Sequence, residues 1–116
     1  MKRFAVMLAI LALAACGRHK EAGGADTARG KQLINKYGCA ACHQIPGMPG
    51  PQGSVGPPLD TIGARSFIGG KFQNTPEIMT QWLQNPQAMD PASSMPNLGV
   101  TPADARDITA YLETLK

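Results

Sequence analysis

Between Gly47 and Pro58 the chain carries four glycines and four prolines with almost no apolar periodicity. Proline has no amide to donate to a helix or sheet ladder, and glycine opens the backbone to turns, so the stretch reads as an irregular loop. A second proline-rich loop is expected from Pro86 to Gly99. Helical spacing survives only around these loops. Asp26 or Thr27 can cap a helix carrying Ala28, Leu33, Ile34 and Tyr37, which Gly38 would end. Thr75-Pro76-Glu77 is a second helix start, followed by Ile78, Met79, Trp82 and Leu83 as far as Asn85-Pro86. Thr101-Pro102-Ala103-Asp104 is a third, with Ala105, Ile108, Leu112 and Leu115 as its stripe and Asp104, Asp107, Glu113 and Lys116 off it. No segment alternates like a strand. The expectation is an all-α domain of three to four helices with long irregular loops and no sheet. Such a domain is short of core: aromatics make up 5% of the chain against ten prolines. Ordering this much coil needs something large and apolar between the helices.

Cys39-Ala40-Ala41-Cys42-His43 supplies the candidate, because C-x-x-C-H is the attachment motif of c-type haem. Two sulfurs three residues apart can reach the two vinyl positions of one porphyrin edge, and the next residue can bring its imidazole under the iron. A thioredoxin-like redox motif would need a βαβ context, and a zinc site would need a second pair of ligands; the sequence has neither. One covalent haem c, bound through Cys39 and Cys42 with His43 as an iron ligand, is therefore expected. Burying about 400 Å² of porphyrin at about 25 cal/mol/Å² gives roughly 10 kcal/mol, as much as the whole stability of a domain. For the sixth ligand the candidates are Met48, Met79, Met89, Met95 and His19. Met48 follows His43 too closely to cross to the other face, Met79 lies on a core stripe, and His19 precedes the domain. Met89 and Met95 both fall in the loop before the last helix.

Over residues 27–116 the chain resembles the class I cytochromes c. Gly30 matches the family's small residue where the first and last helices cross, and Tyr111-Leu112 matches the end of the partner helix. Gly56-Pro57-Pro58-Leu59 is similar to a family segment whose proline carbonyl accepts a hydrogen bond from the proximal histidine, which makes Pro57 the expected acceptor for His43. The resemblance implies Met95 as the distal ligand, since Met95-Pro96 ahead of a Thr-Pro helix start is similar to the family's ligand segment. It also implies that Arg65 lies near a haem propionate, although a surface arginine fits the sequence equally well. Trp82 could donate its indole N–H to a propionate or serve as core on Met79 and Leu83. Lys71, Phe72 and Asn74 carry no decisive signal. A His/Met pair fills both axial positions and raises the reduction potential over bis-His ligation. The implied activity is single-electron transfer rather than catalysis.

The first residues concern location. Lys2 and Arg3 precede a twelve-residue apolar run from Phe4 to Ala15, the form of an export signal. Twelve residues of helix cover about 18 Å of a roughly 30 Å hydrocarbon core, too little to span it. Leu13-Ala14-Ala15-Cys16 resembles a bacterial lipobox, which implies a lipid on Cys16; of three cysteines, two are taken by the haem motif. The expected division is a signal peptide over 1–15, a lipidated Cys16 and flexible tether over 16–26, and a cytochrome domain over 27–116. Loss of Lys2 and Arg3 takes 11 basic residues to nine against eight acidic ones, a balance that does not suggest nucleic acid. The expected setting is the periplasmic side of a bacterial membrane. There a dehydrogenase or quinol-oxidising complex would donate electrons and an oxidase or reductase would accept them. The alternatives are a fixed subunit of such an enzyme, a haem gas sensor or a peroxidase.

Overall fold

A computed structural model describes residues 24–116. The expected signal peptide, the Cys16 lipid site, His19 and most of the tether lie outside the described residues. Helix α1 spans Thr27–Lys36, where the Asp26 carboxylate accepts from the Arg29 amide at 2.9 Å and so satisfies a free donor of the first turn. It ends at Tyr37 and Gly38, the latter at φ +71°, a conformation that glycine adopts without strain. That left-handed residue turns the chain directly into a 3₁₀ turn over Cys39–Ala41.

Helix α2 is Pro76–Gln84, with the Thr75 hydroxyl accepting from the Ile78 amide at 3.2 Å. Helix α4 is Pro102–Leu112, capped in the same way by Thr101 on the Asp104 amide at 3.2 Å. Both carry proline at the first helical position, where its missing N–H is not needed. Between them Pro86–Met89 forms a one-turn helix, α3, which corrects the expectation of continuous loop from Pro86 to Gly99. Asn85 makes the difference: its side chain accepts from the Ala88 amide at 3.2 Å and Pro86 presets φ for the turn.

The expectation of no sheet is also corrected. Phe67–Ile68 (β1) and Phe72–Gln73 (β2) pair antiparallel, Phe67 opposite Gln73 and Ile68 opposite Phe72. Gly69 and Gly70, at φ +57° and +76°, supply the two left-handed residues that the tight turn requires. The Phe72 ring then packs on Trp82 with centroids 5.8 Å apart.

The core is centred on Ile34, Ile45 and Ile108, with α1 and α2 both packed on α4. The helices α1 and α4 approach so closely that a methyl added at Gly30 would lie 1.9 Å from the Asp107 carbonyl oxygen. Asp104 and Asp107, expected off the apolar stripe, are buried, at 6% and 8% exposure. Side chains from α1 and its end cover them. The Arg29 guanidinium bonds both carboxylates, Tyr37 Oη donates to Asp104 Oδ2 at 2.6 Å, and the Asp26 amide donates to Asp107 Oδ1 at 2.8 Å.

The Tyr37 hydroxyl first, and Arg29 second, hold the Asp104 carboxyl below its usual range. A carboxylate depressed in the folded state adds stability above its unfolded pKa and loses it as pH falls through the folded one. Urea midpoints of the holoprotein should therefore fall as pH drops below the ordinary carboxylate value of 3.8. Asp104→Asn should start lower at pH 7 and show a flatter acid limb. Identical acid limbs in the two proteins would remove Asp104 from the explanation.

Candidate haem crevice

The motif and the glycine-proline loop after it are built as one unit. The Gly53 amide donates to the Ala40 carbonyl, Gly56 to Cys42 and Leu59 to Gln44, each at 2.8 Å. The Gln52 side chain brackets Ile45, accepting from its amide at 2.8 Å and donating to its carbonyl at 2.7 Å. This loop has backbone partners but little apolar content, and the turn it wraps supplies those partners. A methyl at Gly53 would meet the Ala41 carbonyl oxygen at 2.0 Å, and one at Gly56 would meet His43 Cε1 at 2.3 Å. Both glycines are required by contact with the motif.

That contact fixes the imidazole. His43 Nδ1 lies 2.7 Å from the Pro57 carbonyl oxygen. A carbonyl has no proton to give, so Nδ1 carries the hydrogen and donates it, leaving the lone pair on Nε2. The Pro57 carbonyl is thus the group that His43 Nδ1 faces.

Cys42, His43 and Pro57 line a crevice of about 610 Å³ that Trp82, Leu83, Met95 and Leu112 also line. Cys39 and Cys42 are free thiols and half-buried; burial pushes the Cys39 thiol up, so it stays neutral. Among the described residues no further carboxylate, thiol or imidazole gathers with them as a metal cage. A shallower groove of about 760 Å³, lined by Glu77, Thr80, Arg106 and Thr109, has no thiol, imidazole or thioether. Of these two, the crevice is the one that brings thiol, imidazole and thioether together.

The crevice separates the methionine candidates. Met95, half-buried, lines it. Met89 closes α3 and Met48 follows the motif; both pack at the edge of the core and neither lines the crevice. Met79 lines it too, but is a core side chain at 4% exposure.

Arg65 lines the crevice, donating from Nη2 to the Pro58 carbonyl at 2.6 Å with Asp60 4.0 Å away. Trp82 is buried, packs on Phe72 and lines the crevice. Sequence reasoning did not anticipate Gln52 and Gly53, whose only signal is the regular recurrence of glycine at 47, 50, 53 and 56.

An apolar crevice lined by the Cys42 thiol, an oriented His43 imidazole and the thioethers of Met79 and Met95, with the Cys39 thiol three residues before Cys42, is a donor set that fits a covalently bound porphyrin. Comparison with known proteins agrees. The chain resembles the crystal structure of SoxXA from P. pantotrophus, with TM-score 0.63 and 21% identity over 83% of this chain and 88% of that one. It also resembles ferric cytochrome c-550 from Paracoccus versutus, with TM-score 0.52 and 21% identity over 78% of this chain and 98% of that one. At these identities the structures establish the shared fold. Residues 27–116 match the model of the cytochrome c family. With that match covering most of its length, the chain belongs to the cytochrome c family of electron carriers, whose cofactor is covalently bound haem c.

Proposed function

We propose that the protein is a single-electron carrier with His/Met ligation, tethered by lipid to the periplasmic side of a bacterial membrane. One observation carries the ligand assignment: the His43 imidazole and the Met95 thioether line the same crevice, and Met89 and Met48 do not. Cys39 and Cys42 would form the thioether bonds. The bound haem supplies a one-electron couple.

The chain's own residues set the terms of that couple. The Pro57 carbonyl holds the His43 tautomer and makes Nε2 a stronger donor. A neutral thioether from Met95 favours the reduced state, and the apolar walls at Ile62, Ile68 and Leu83 disfavour added positive charge. Arg65 and Trp82 line the crevice and would meet the propionates. Two protein ligands leave no coordination position for a substrate, so the reading is transfer between protein partners. A donor dehydrogenase or quinol-oxidising complex and an acceptor oxidase or reductase are the partner classes.

Cys16 would carry the lipid, and two or three acyl chains anchor stably because each buried methylene adds about 0.8 kcal/mol. A tether between Cys16 and the domain would let the domain reorient at the surface. A fixed subunit is the second reading. Val55 and Phe67, 82% and 59% exposed, both line the crevice and would suit a permanent partner.

The mass and redox titration of protein extracted in detergent test both. The expected result is a chain beginning at Cys16 with a diacylglyceryl group and one haem, taking up one electron and eluting alone. A mature chain lacking the lipid removes the tether. Stoichiometric co-elution of a large subunit replaces the free carrier with the fixed one.

A further inference from the structure

The segment that presents Met95 is folded by a short polar ladder, and the ladder is held from outside by a lysine. Asp90 follows α3, and its Oδ1 accepts from the Ala92 amide at 3.1 Å. Its backbone carbonyl accepts from the Ser93 amide at 2.9 Å. Ser93 Oγ in turn accepts from the Met95 amide at 3.1 Å, and Gln87 Nε2 donates to the Ser93 carbonyl at 3.3 Å. Asp90 thus organises the turn from which Met95 extends, and it lines the crevice itself.

The tie to the rest of the fold is Lys71, whose Nζ lies 3.1 Å from Asp90 Oδ1. The two side chains differ in environment: Asp90 is 16% exposed and Lys71 is 55% exposed. The ammonium beside it holds the Asp90 carboxyl below its usual range. Lys71 is itself well placed. Its amide donates to the Ile68 carbonyl at 3.2 Å, closing the hairpin turn, and its ammonium sits 5.7 Å from the Phe72 ring centroid. Phe72 rests on Trp82 in α2, and Asn74 Nδ2 ties the hairpin's far end to the Ile62 and Arg65 carbonyls, each at 2.9 Å. A rigid element therefore grips a turn whose own bonds are mostly exposed.

We propose that Lys71 is a positioning residue for Met95: by pinning Asp90 it keeps the Asp90-to-Met95 turn closed against the crevice. The proposal rests on Met95 being the distal ligand. Without the pin, the turn opens more often and the population with Met95 withdrawn rises. An external ligand reports that population, because its apparent affinity scales with the fraction of protein competent to bind it.

The test is an imidazole titration of the oxidised holoprotein, followed in the visible spectrum. The variants are Lys71→Gln, Lys71→Arg, Asp90→Asn and the Lys71→Gln/Asp90→Asn double. An exposed cation on a shielded carboxylate predicts that Lys71→Gln binds imidazole about two- to fivefold more tightly than wild type. Lys71→Arg should restore wild-type affinity, the double should be no tighter than Asp90→Asn alone, and the gap should shrink at high salt. Wild-type affinity in Lys71→Gln, or additive effects in the double, overturns the proposal. Met95→Ala separates the two possible failures. If it keeps the far-red sulfur-to-iron absorption, the ligand assignment fails and the pin with it. If it loses the band while Lys71→Gln behaves as wild type, only the pin fails.

Discussion

Replacing Cys39 and Cys42 with alanine, and extracting any haem that remains with acid and solvent, should abolish the cooperative thermal transition of the domain. The physical ground is the imbalance between loop and core. The crevice is walled by Leu59, Ile62, Ile68, Leu83 and Leu112. Filling it with porphyrin buries on the order of 400 Å² and contributes roughly 10 kcal/mol, comparable with the total stability of a typical domain. Removing that contribution leaves the α1–α4 crossing, with Ile34 and Ile108 fully buried, as the best-packed remnant. Circular dichroism should therefore show residual helix with a shallow, non-cooperative melt. A sharp transition within a few degrees of the holoprotein's would mean that the protein core alone sustains the fold.

Met95→Ala should remove the far-red absorption of the oxidised protein and lower its midpoint potential by on the order of 0.1–0.2 V, within the roughly 0.8 V range over which axial ligands tune haem. The direction follows from charge. A neutral thioether stabilises ferrous iron, and water or a nitrogen donor in its place favours ferric iron. Met89→Ala should leave band and potential unchanged, since Met89 packs at the edge of the core from the end of α3 and does not line the crevice. The reverse pattern would move the ligand to Met89. Potentiometric titration of the two variants alongside wild type decides between them.

The helices were legible because their ends are written in local chemistry. Thr75-Pro76 and Thr101-Pro102 place a cap and an N1 proline in adjacent positions, and both helices begin there. The haem motif was legible because it is written in five adjacent residues, whereas Pro57, 14 positions after His43, was named only through the family resemblance. The hairpin was not legible. Strands of two residues are too short to show alternation, and Ile68 and Phe72 are held by Trp82 and the crevice rather than by pattern. Helix α3 was hidden in the same way, a single turn made by the Asn85 side chain. The burial of Asp104 and Asp107 was unreadable because Arg29 and Tyr37, which cover them, come from the other end of the chain. Lys71 and Asp90 show no signal at all until the hairpin brings them together.

The crossing of α1 and α4 also sets an order of events in time. Asp26 and Asp107 are hydrogen-bonded across 81 positions of sequence, and Gly30 seats against the same turn of α4. That clasp is among the last long-range contacts the growing chain can complete, because loop closure must come before the contacts that reward it. Cys39 is half-buried in the folded chain, where it packs on the same core. A polypeptide weak in cohesion before its cofactor arrives would leave both thiols within reach of the attachment chemistry for longer. If the apoprotein melts without cooperativity, that clasp closes late and the attachment chemistry has longer to act.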